Sequence, residues 1–301
     1  EVLLEMNNFN SIDFSFEYGA CDQVTPLVRR VIANNPGPFT YTGTGTYIVG
    51  SKELAVIDPG PLDDNHLEAI LTATKNEKIT HIMVTHTHND HSPLAKSLKE
   101  RTGALIYSFD QNSINIGENN KFEEGYDSKF SCDIKLKDGD LISGGDWTLE
   151  AIHTPGHTSN HLCYSLKEEK ILFSGDHVMG WSTTVIIPPD GDMEDYIQSL
   201  EKLLMRDDKN YLPTHGKMIE KPKELVKKYI NHRSSREDQI IKTIKSGNNK
   251  IIDIVKVIYV DVDKRLYPAA SMSTLAHLTR MINKRQIKTD QLNLDGFYEI
   301  N

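Results

Sequence analysis

The sequence predicts an α/β fold of two mixed β-sheets sandwiched between helices, followed by a small C-terminal module of helices and a hairpin. Three observations carry this expectation. Short runs of β-formers alternate with helical stretches through the first 230 residues. Some of those runs are joined by tight polar turns, which an all-parallel sheet does not allow. From about residue 222 the texture changes to charged helices.

The elements follow in order. "TYIVG" and "LAVIDPG" read as neighbouring strands, the second closing on a Pro-Gly turn. "HLEAILTATKN" carries apolar residues at helical spacing, and "ITHIMVTH" is a third strand. "PLAKSLKERTG" opens on Pro and stops on Gly, the punctuation of a helix. "ALIYSF" is a strand, as is the first part of "WTLEAIHTPGH". "HLCYSLKEEKILFSGD" reads as a hairpin turning at its polar centre, "MEDYIQSLEKLL" as an amphipathic helix, and "YLPTHG" as a short strand running into a loop. Beyond these, "KPKELVKKYINHRSSREDQIIKTIKSG", "IIDIVKVIY" and "ASMSTLAHLTRMINKRQ" are helices, and "IKTDQLNLDGFYEI" reads as strand, turn, strand. Three helices and a hairpin are the order of a winged-helix module. The expected domains are therefore 1–230, carrying the chemistry, and 231–301, winged-helix-like.

Composition narrows the classes. With 38% hydrophobic and 26% charged residues in 301, the chain reads as an ordinary globular protein. No apolar run approaches the roughly 18 residues of a membrane span. "EVLLEMNNFN" lacks the basic and apolar segments of a signal peptide, although a start at Glu1 leaves room for a trimmed leader. Cys21, Cys132 and Cys163 are odd in number and contain no CxxC, which fits small buried side chains in a reducing cytoplasm. The net charge of −9 argues against non-specific coating of nucleic acid. It divides unevenly. Residues 231–301 hold 12 Lys and Arg against 8 Asp and Glu, or +4, leaving 22 against 35, or −13, before them.

The chemistry concentrates in "VTHTHNDHSPLA", where three histidines and an aspartate follow a strand. His86 and His88, two apart, point the same way in extended backbone, and a turn would swing Asp90 and His91 to a neighbouring point. Three later strand-to-loop transitions supply His157, Asp176 and His215, each beside Gly or Pro. A coherent assignment places His86, His88 and His157 on one zinc ion and Asp90, His91 and His215 on a second, with Asp176 bridging. Other divalent transition metals would suit the same donors. Taken singly, His157, His215 and Asp176 would be loop or turn residues, and their joint order is what argues for a centre. His153, His161 and His177 lie near the pattern but outside it, as supporting or bystander groups. His66, His81 and His277 read as surface or packing histidines.

In these residues the chain resembles the metallo-β-lactamase fold superfamily of metallohydrolases. "HTHNDH", His157, Asp176 and His215 match its HxHxDH, His, Asp, His order in full, and Asp58 of "VIDPG" matches its early aspartate, a group beside the metals and not a ligand. The resemblance implies a four-layer αββα sandwich and a hydroxide shared by two metals as nucleophile, with Asp90 as ligand and proton acceptor. A bridging Asp176 argues against a true β-lactamase, and His88 against the di-iron flavoprotein branch, which places Glu there.

"NPGPFTYTGTGTYIVG", "SGDHVMGWSTTV" and "YINHRSSREDQI" are similar to the β-lactamase-like proteins with a C-terminal winged helix, whose animal member is a mitochondrial single-strand endoribonuclease. "DHSPLA" departs from the Gly-Gly usual after "DHS", and "PPDGD" is an insertion that could change access to the site. The preferred activity is thus a phosphodiesterase cutting single-stranded RNA. The alternatives are a thioester hydrolase of the glyoxalase II kind and a winged-helix regulator binding DNA, the last disfavoured by charge. Thr183 and Thr184, after Asp176, could bind a substrate oxygen, or could simply be β-branched strand residues. His232 and Arg233, at the junction, could reach the site or serve in packing. Lys217, Lys221, Lys223, Lys227, Lys228, Arg233 and Arg236 could guide a phosphate backbone, yet Glu220, Glu224 and Glu237 among them fit a solvated helix face better. No aromatic platform for RNA is legible. The winged helix could bind RNA, pack on the catalytic domain or mediate a homodimer.

Overall fold

The computed structural model describes residues 15–109, 125–261 and 263–301. The question of a leader turns on residues 1–10, which lie outside them. The chain divides into two compact units, one of Glu1–Thr154, Asn160–Thr183 and Arg206–Pro222, the other of Pro155–Ser159, Thr184–Met205 and Lys223–Asn301.

The first unit holds two sheets. The larger has seven strands in sequence order: β1 (Cys21–Thr25), β2 (Val28–Ile32), β3 (Gly45–Val49), β4 (Glu53–Ile57), β5 (Lys78–Met83), β6 (Leu105–Phe109) and β7 (Ile134–Leu136). Strands β1 to β4 run antiparallel, with a longer connection between β2 and β3, and β4 to β7 are parallel. Parallel neighbours need a crossover, and helices α1 (Asp64–Ala73) and α2 (Leu94–Thr102) provide the first two. Asp63 caps α1 by accepting the Asn65 N–H at 2.9 Å, and Gly103, at φ +75, ends α2 in the left-handed conformation.

The second sheet contains β8 (Leu141–Ser143), β9 (Thr148–His153), β10 (Leu162–Leu166), β11 (Ile171–Gly175) and β12 (Asn210–Pro213), ordered β12-β11-β10-β9-β8. The "KEEK" turn joins β10 and β11 as expected, in the register Leu166 to Ile171. Inward-facing residues of both sheets form one core that includes Tyr47, Val49, Ile57, Leu149, Tyr164 and Phe173. On the other face of the larger sheet, Leu67 and Ile70 of α1 and Leu94 and Leu98 of α2 pack against Ile48, Val56 and Ile82. This puts the carboxyl ends of β4, β5 and β11 at one edge of the sandwich, where the chemistry-bearing loops emerge.

In the second unit are α3 (Met193–Leu204), α4 (Pro222–Lys245), α5 (Ile251–Ile258) and α6 (Tyr267–Asn283), then the antiparallel hairpin of β13 (Ile287–Thr289) and β14 (Tyr298–Ile300). Pro222, the first residue of α4, still belongs to the first unit. A core of Ile240, Ile244, Ile254, Leu275, Leu278, Met281 and Tyr298 joins the last three helices to the hairpin, the winged-helix arrangement. Arg280 of α6 donates to Glu194 of α3 at 2.6 Å and to Glu237 of α4 at 2.7 Å. These half-buried ion pairs tie segment 184–205 to the helical unit. The junction expected between 230 and 231 lies within α4, while the compact units part at Pro222, where that helix begins.

Two expectations need correction. Cys163 is buried, but Cys21 is exposed and Cys132 half-buried, because both sit on sheet margins. Strands β1, β2, β7 and β8 were not foreseen. Three of them are sheet edges, and the fourth carries Arg29 and Arg30, so their periodic signal is weak. No helix among the described residues is long and apolar enough to cross a membrane.

Candidate metal centre

The histidine-rich loop follows β5 and is fastened at several points. Tyr164 donates its hydroxyl to the Val84 carbonyl at 2.8 Å, and the Leu162 N–H reaches the Thr85 carbonyl at 2.8 Å. Asn160 donates to Thr87 Oγ1 at 2.9 Å, and the Gly60 N–H to the His91 carbonyl at 2.9 Å.

Asp58 ends β4 with φ +49, an unusual conformation for a residue other than glycine. Its carboxylate gathers four partners. Oδ1 accepts the Thr85 N–H at 2.8 Å, while Oδ2 accepts the Thr85 hydroxyl at 2.8 Å and the Thr214 hydroxyl at 2.9 Å. Oδ2 also lies 2.9 Å from His91 Nδ1. That contact fixes which imidazole nitrogen faces the carboxylates beyond, as expected of a group beside a metal and not on it.

His91 Nε2 lies 3.4 Å from Asp90 Oδ2 and 3.5 Å from Asp176 Oδ2. His215 Nε2 lies 3.0 Å from Asp90 Oδ2 and 3.5 Å from Asp176 Oδ1. The ligand atoms of Asp90, His91, Asp176 and His215 all fall within 4.8 Å of one another, and all four side chains are buried. Neither Nε2 is satisfied by a hydrogen bond among the described residues. Two imidazoles and two carboxylates turned on one buried point suit a divalent cation of borderline softness.

The electrostatics agree. Burial works against charge on His91, but Asp90, Asp176 and Asp58 outweigh it and hold the imidazole well above its ordinary value. Burial likewise opposes His215, yet Asp176 and Asp90 raise it to about 10. Burial pushes Asp90 upward, and His91 and His215 reverse this and hold it well below the usual carboxylate range. Asp176 is lowered in the same way. The four groups together call for positive charge at their centre, which a metal ion supplies.

His86 and His88 stand beside this set, with His86 Nε2 2.9 Å from His88 Nδ1 and the His86 and His91 ring centres 4.0 Å apart. His157 belongs to the second unit, in the turn Pro155–Ser159. Its Nδ1 meets the Val185 carbonyl at 2.7 Å, so Nδ1 carries the proton and Nε2 the lone pair. Asp190 holds the neighbouring turn residue by accepting from Ser159 N at 3.2 Å and Ser159 Oγ at 2.5 Å, and the Asp192 N–H reaches the Gly156 carbonyl at 2.9 Å. The inserted "PPDGD" thus supports the His157 turn, a role the sequence did not reveal. All seven side chains predicted as ligands are among the buried His and Asp groups arranged so that they could hold metal.

His161 is a supporting group: its Nε2 accepts the Asp176 N–H at 3.2 Å, and its Nδ1 is 2.9 Å from Thr154 Oγ1. Gly175, at φ +52, lets the chain pass it, since a Cβ there would lie 2.5 Å from His161 Nε2. Four residues are assigned to substrate by the sequence. Thr183 is half-buried at the end of the first unit. Thr184 is buried, and its carbonyl accepts from Arg233, itself 3% exposed and set 5.2 Å above the Tyr196 ring. His232 is half-buried, and burial with Arg233 and Arg236 pulls it down to about 3.

A sandwich with this centre at its loop edge defines a metallohydrolase. The chain belongs to the metallo-beta-lactamase superfamily, a hydrolase family, which residues 41–215 match. Residues 251–292 match the beta-lactamase associated winged helix domain. The chain is 32% identical over 292 residues to the Beta-lactamase-like protein 2 homolog of Drosophila melanogaster, covering 93% of this chain and 96% of that one. It is 28% identical over 223 residues to the Atrochrysone carboxyl ACP thioesterase of Claviceps purpurea (strain 20.1), covering 73% and 66%. A Beta-lactamase domain protein from Burkholderia ambifaria shares the fold, with a TM-score of 0.79 over 96% of each chain at 17% identity. The αββα sandwich and the winged helix expected from the sequence are both present.

Proposed function

We propose that this protein is a dinuclear zinc hydrolase that cleaves phosphodiester bonds of single-stranded RNA. The observation that carries the hydrolase reading is the convergence of Asp90, His91, Asp176 and His215 on one buried point, with Asp58 setting the His91 tautomer. In the proposed assignment His86, His88 and His157 hold one ion, Asp90, His91 and His215 the other, and Asp176 serves both. When bound, such a pair of ions supplies activated water and polarises the oxygen under attack. In this reading Asp90, a buried carboxylate held in its ionised form, would take up the proton released from that water. The burial of Asp90, His91, Asp176 and His215 limits competition from bulk water at their centre.

RNA as substrate is supported by the resemblance of "NPGPFTYTGTGTYIVG", "SGDHVMGWSTTV" and "YINHRSSREDQI" to winged-helix β-lactamase-like proteins and by the +4 balance of residues 231–301. A thioester substrate is the second reading, favoured by the named thioesterase among the relatives. Labelled single-stranded RNA and an acyl-glutathione, each assayed with and without chelator, separate the two. Chelator-sensitive RNA cleavage without thiol release is the expected result, and thiol release without RNA cleavage overturns it. The cytoplasm remains the proposed compartment, and a homodimer through the winged helix the proposed assembly.

A further inference from the structure

The β2–β3 connection and the loop after Asp176 bring together two aromatic residues far apart in sequence. Tyr41 and Trp181 stack with ring centres 5.0 Å apart and planes 15° from parallel, and both are partly exposed. The pair stands one residue beyond the candidate ligand His215. A Cβ built on Gly216 would lie 3.4 Å from Trp181 Cδ1 and 3.9 Å from Tyr41 Cδ1. The stretch that carries Tyr41 also touches the metal set: the Gly43 carbonyl is 3.2 Å from His215 Nδ1, and Thr44 Oγ1 donates to the Asp90 carbonyl at 3.0 Å.

Two details set this pair apart from ordinary packing. Tyr41 adopts φ +55, where an L-residue with a large side chain is strained and Gly or Asn would sit more easily. Beside it, Trp181 Nε1 and Thr42 Oγ1 are buried and find no hydrogen-bond partner among the described residues. Backbone strain next to the candidate metal set marks a place shaped for a ligand.

We infer that Tyr41 and Trp181 form a stacking subsite for an unpaired nucleobase next to the bond being cut. The inference rests on the RNA reading above and supplies its selectivity. Every base has a π-face, so an aromatic ledge accepts any sequence. In a duplex both faces of each base are already covered, so the ledge takes only single strands. An aliphatic thioester offers no aromatic face to it.

The chain has two tryptophans, and Trp147 is buried with its Nε1 donating to the Glu53 carbonyl at 2.6 Å. Trp181 therefore reports on the ledge. A 2′-O-methyl oligouridylate, its integrity checked after the titration, should quench the fluorescence of the full chain saturably, whereas Trp181→Phe should leave only an unresponsive Trp147 signal. Tyr41→Leu and Trp181→Leu, checked for unchanged metal content and melting temperature, should raise KM for single-stranded RNA roughly ten- to hundredfold while kcat stays within about twofold. Wild-type RNA cleavage with KM unmoved in both variants, or RNA binding that leaves Trp181 emission untouched, overturns the subsite alone. A wild-type protein that neither binds nor cuts RNA overturns the RNA reading, and the subsite with it.

Discussion

Asp58 Oδ2 stands 2.9 Å from His91 Nδ1, and both side chains are essentially inaccessible to water. The carboxylate therefore orients an imidazole whose other nitrogen faces Asp90 and Asp176. Asp58→Asn should retain the φ +49 backbone, which Asn tolerates, but loses the negative charge and half of the accepting capacity. Metal affinity should fall roughly 10- to 100-fold, measured by competition with a chromophoric chelator. Unchanged affinity would show that His91 needs no such partner.

Asp190 acts on the turn that bears His157, through Ser159. Asp190→Ala should weaken one metal equivalent by roughly tenfold while leaving the other intact. The check is a two-step chelator titration, in which equal weakening of both equivalents would contradict the account.

Gly156 has φ +140, and a Cβ there would come within 2.3 Å of Tyr196 Cα. Backbone cannot give way as a flexible side chain can, so Gly156→Ala should destabilise by roughly 3 kcal/mol or more. Gly103, at φ +75 with nothing within 4 Å of its Cβ position, is the control, and Gly103→Ala should cost only about 1 kcal/mol. Denaturant unfolding of both variants measures the contrast.

His277 is wholly buried, and burial together with Arg233 and Arg236 lowers it to about 4, against Glu237 pulling the other way. In the unfolded chain it titrates near its ordinary 6.5. Between these values the unfolded state binds the proton and the folded state does not, so stability falls as pH drops below 6.5 and is level above it. From pH 7.5 to 5 the loss from this residue should be about 2 kcal/mol. His232, lowered to about 3, adds to it in the same direction. Unfolding of the wild type and of His277→Gln at both pH values isolates the His277 share, and parallel losses in the two proteins would refute it.

The candidate metal-binding set was legible because each residue sits at a strand-to-loop step with fixed local chemistry, as in "HTHNDH" and "LFSGDHV". Asp58 was recognisable only through resemblance, since a single Asp before Pro reads as a turn. The Tyr41–Trp181 stack was invisible: nothing local in "FTYTG" or "MGWS" says that the two loops meet. For the same reason "PPDGD" looked like an access-changing insertion, whereas Asp190 within it holds Ser159 of the His157 turn. Arg233, placed near substrate by sequence, is committed to the Thr184 carbonyl and the Tyr196 ring inside the second unit. Long-range partners of loop residues lie beyond what periodicity and spacing encode.

Elemental analysis of the purified chain, with the same measurement on His91→Ala and His215→Ala, tests the central claim most directly. The account predicts about two divalent transition-metal ions per wild-type chain, with about one lost in each variant. A folded wild-type chain that carries no transition metal and takes none up on dialysis against zinc would contradict it.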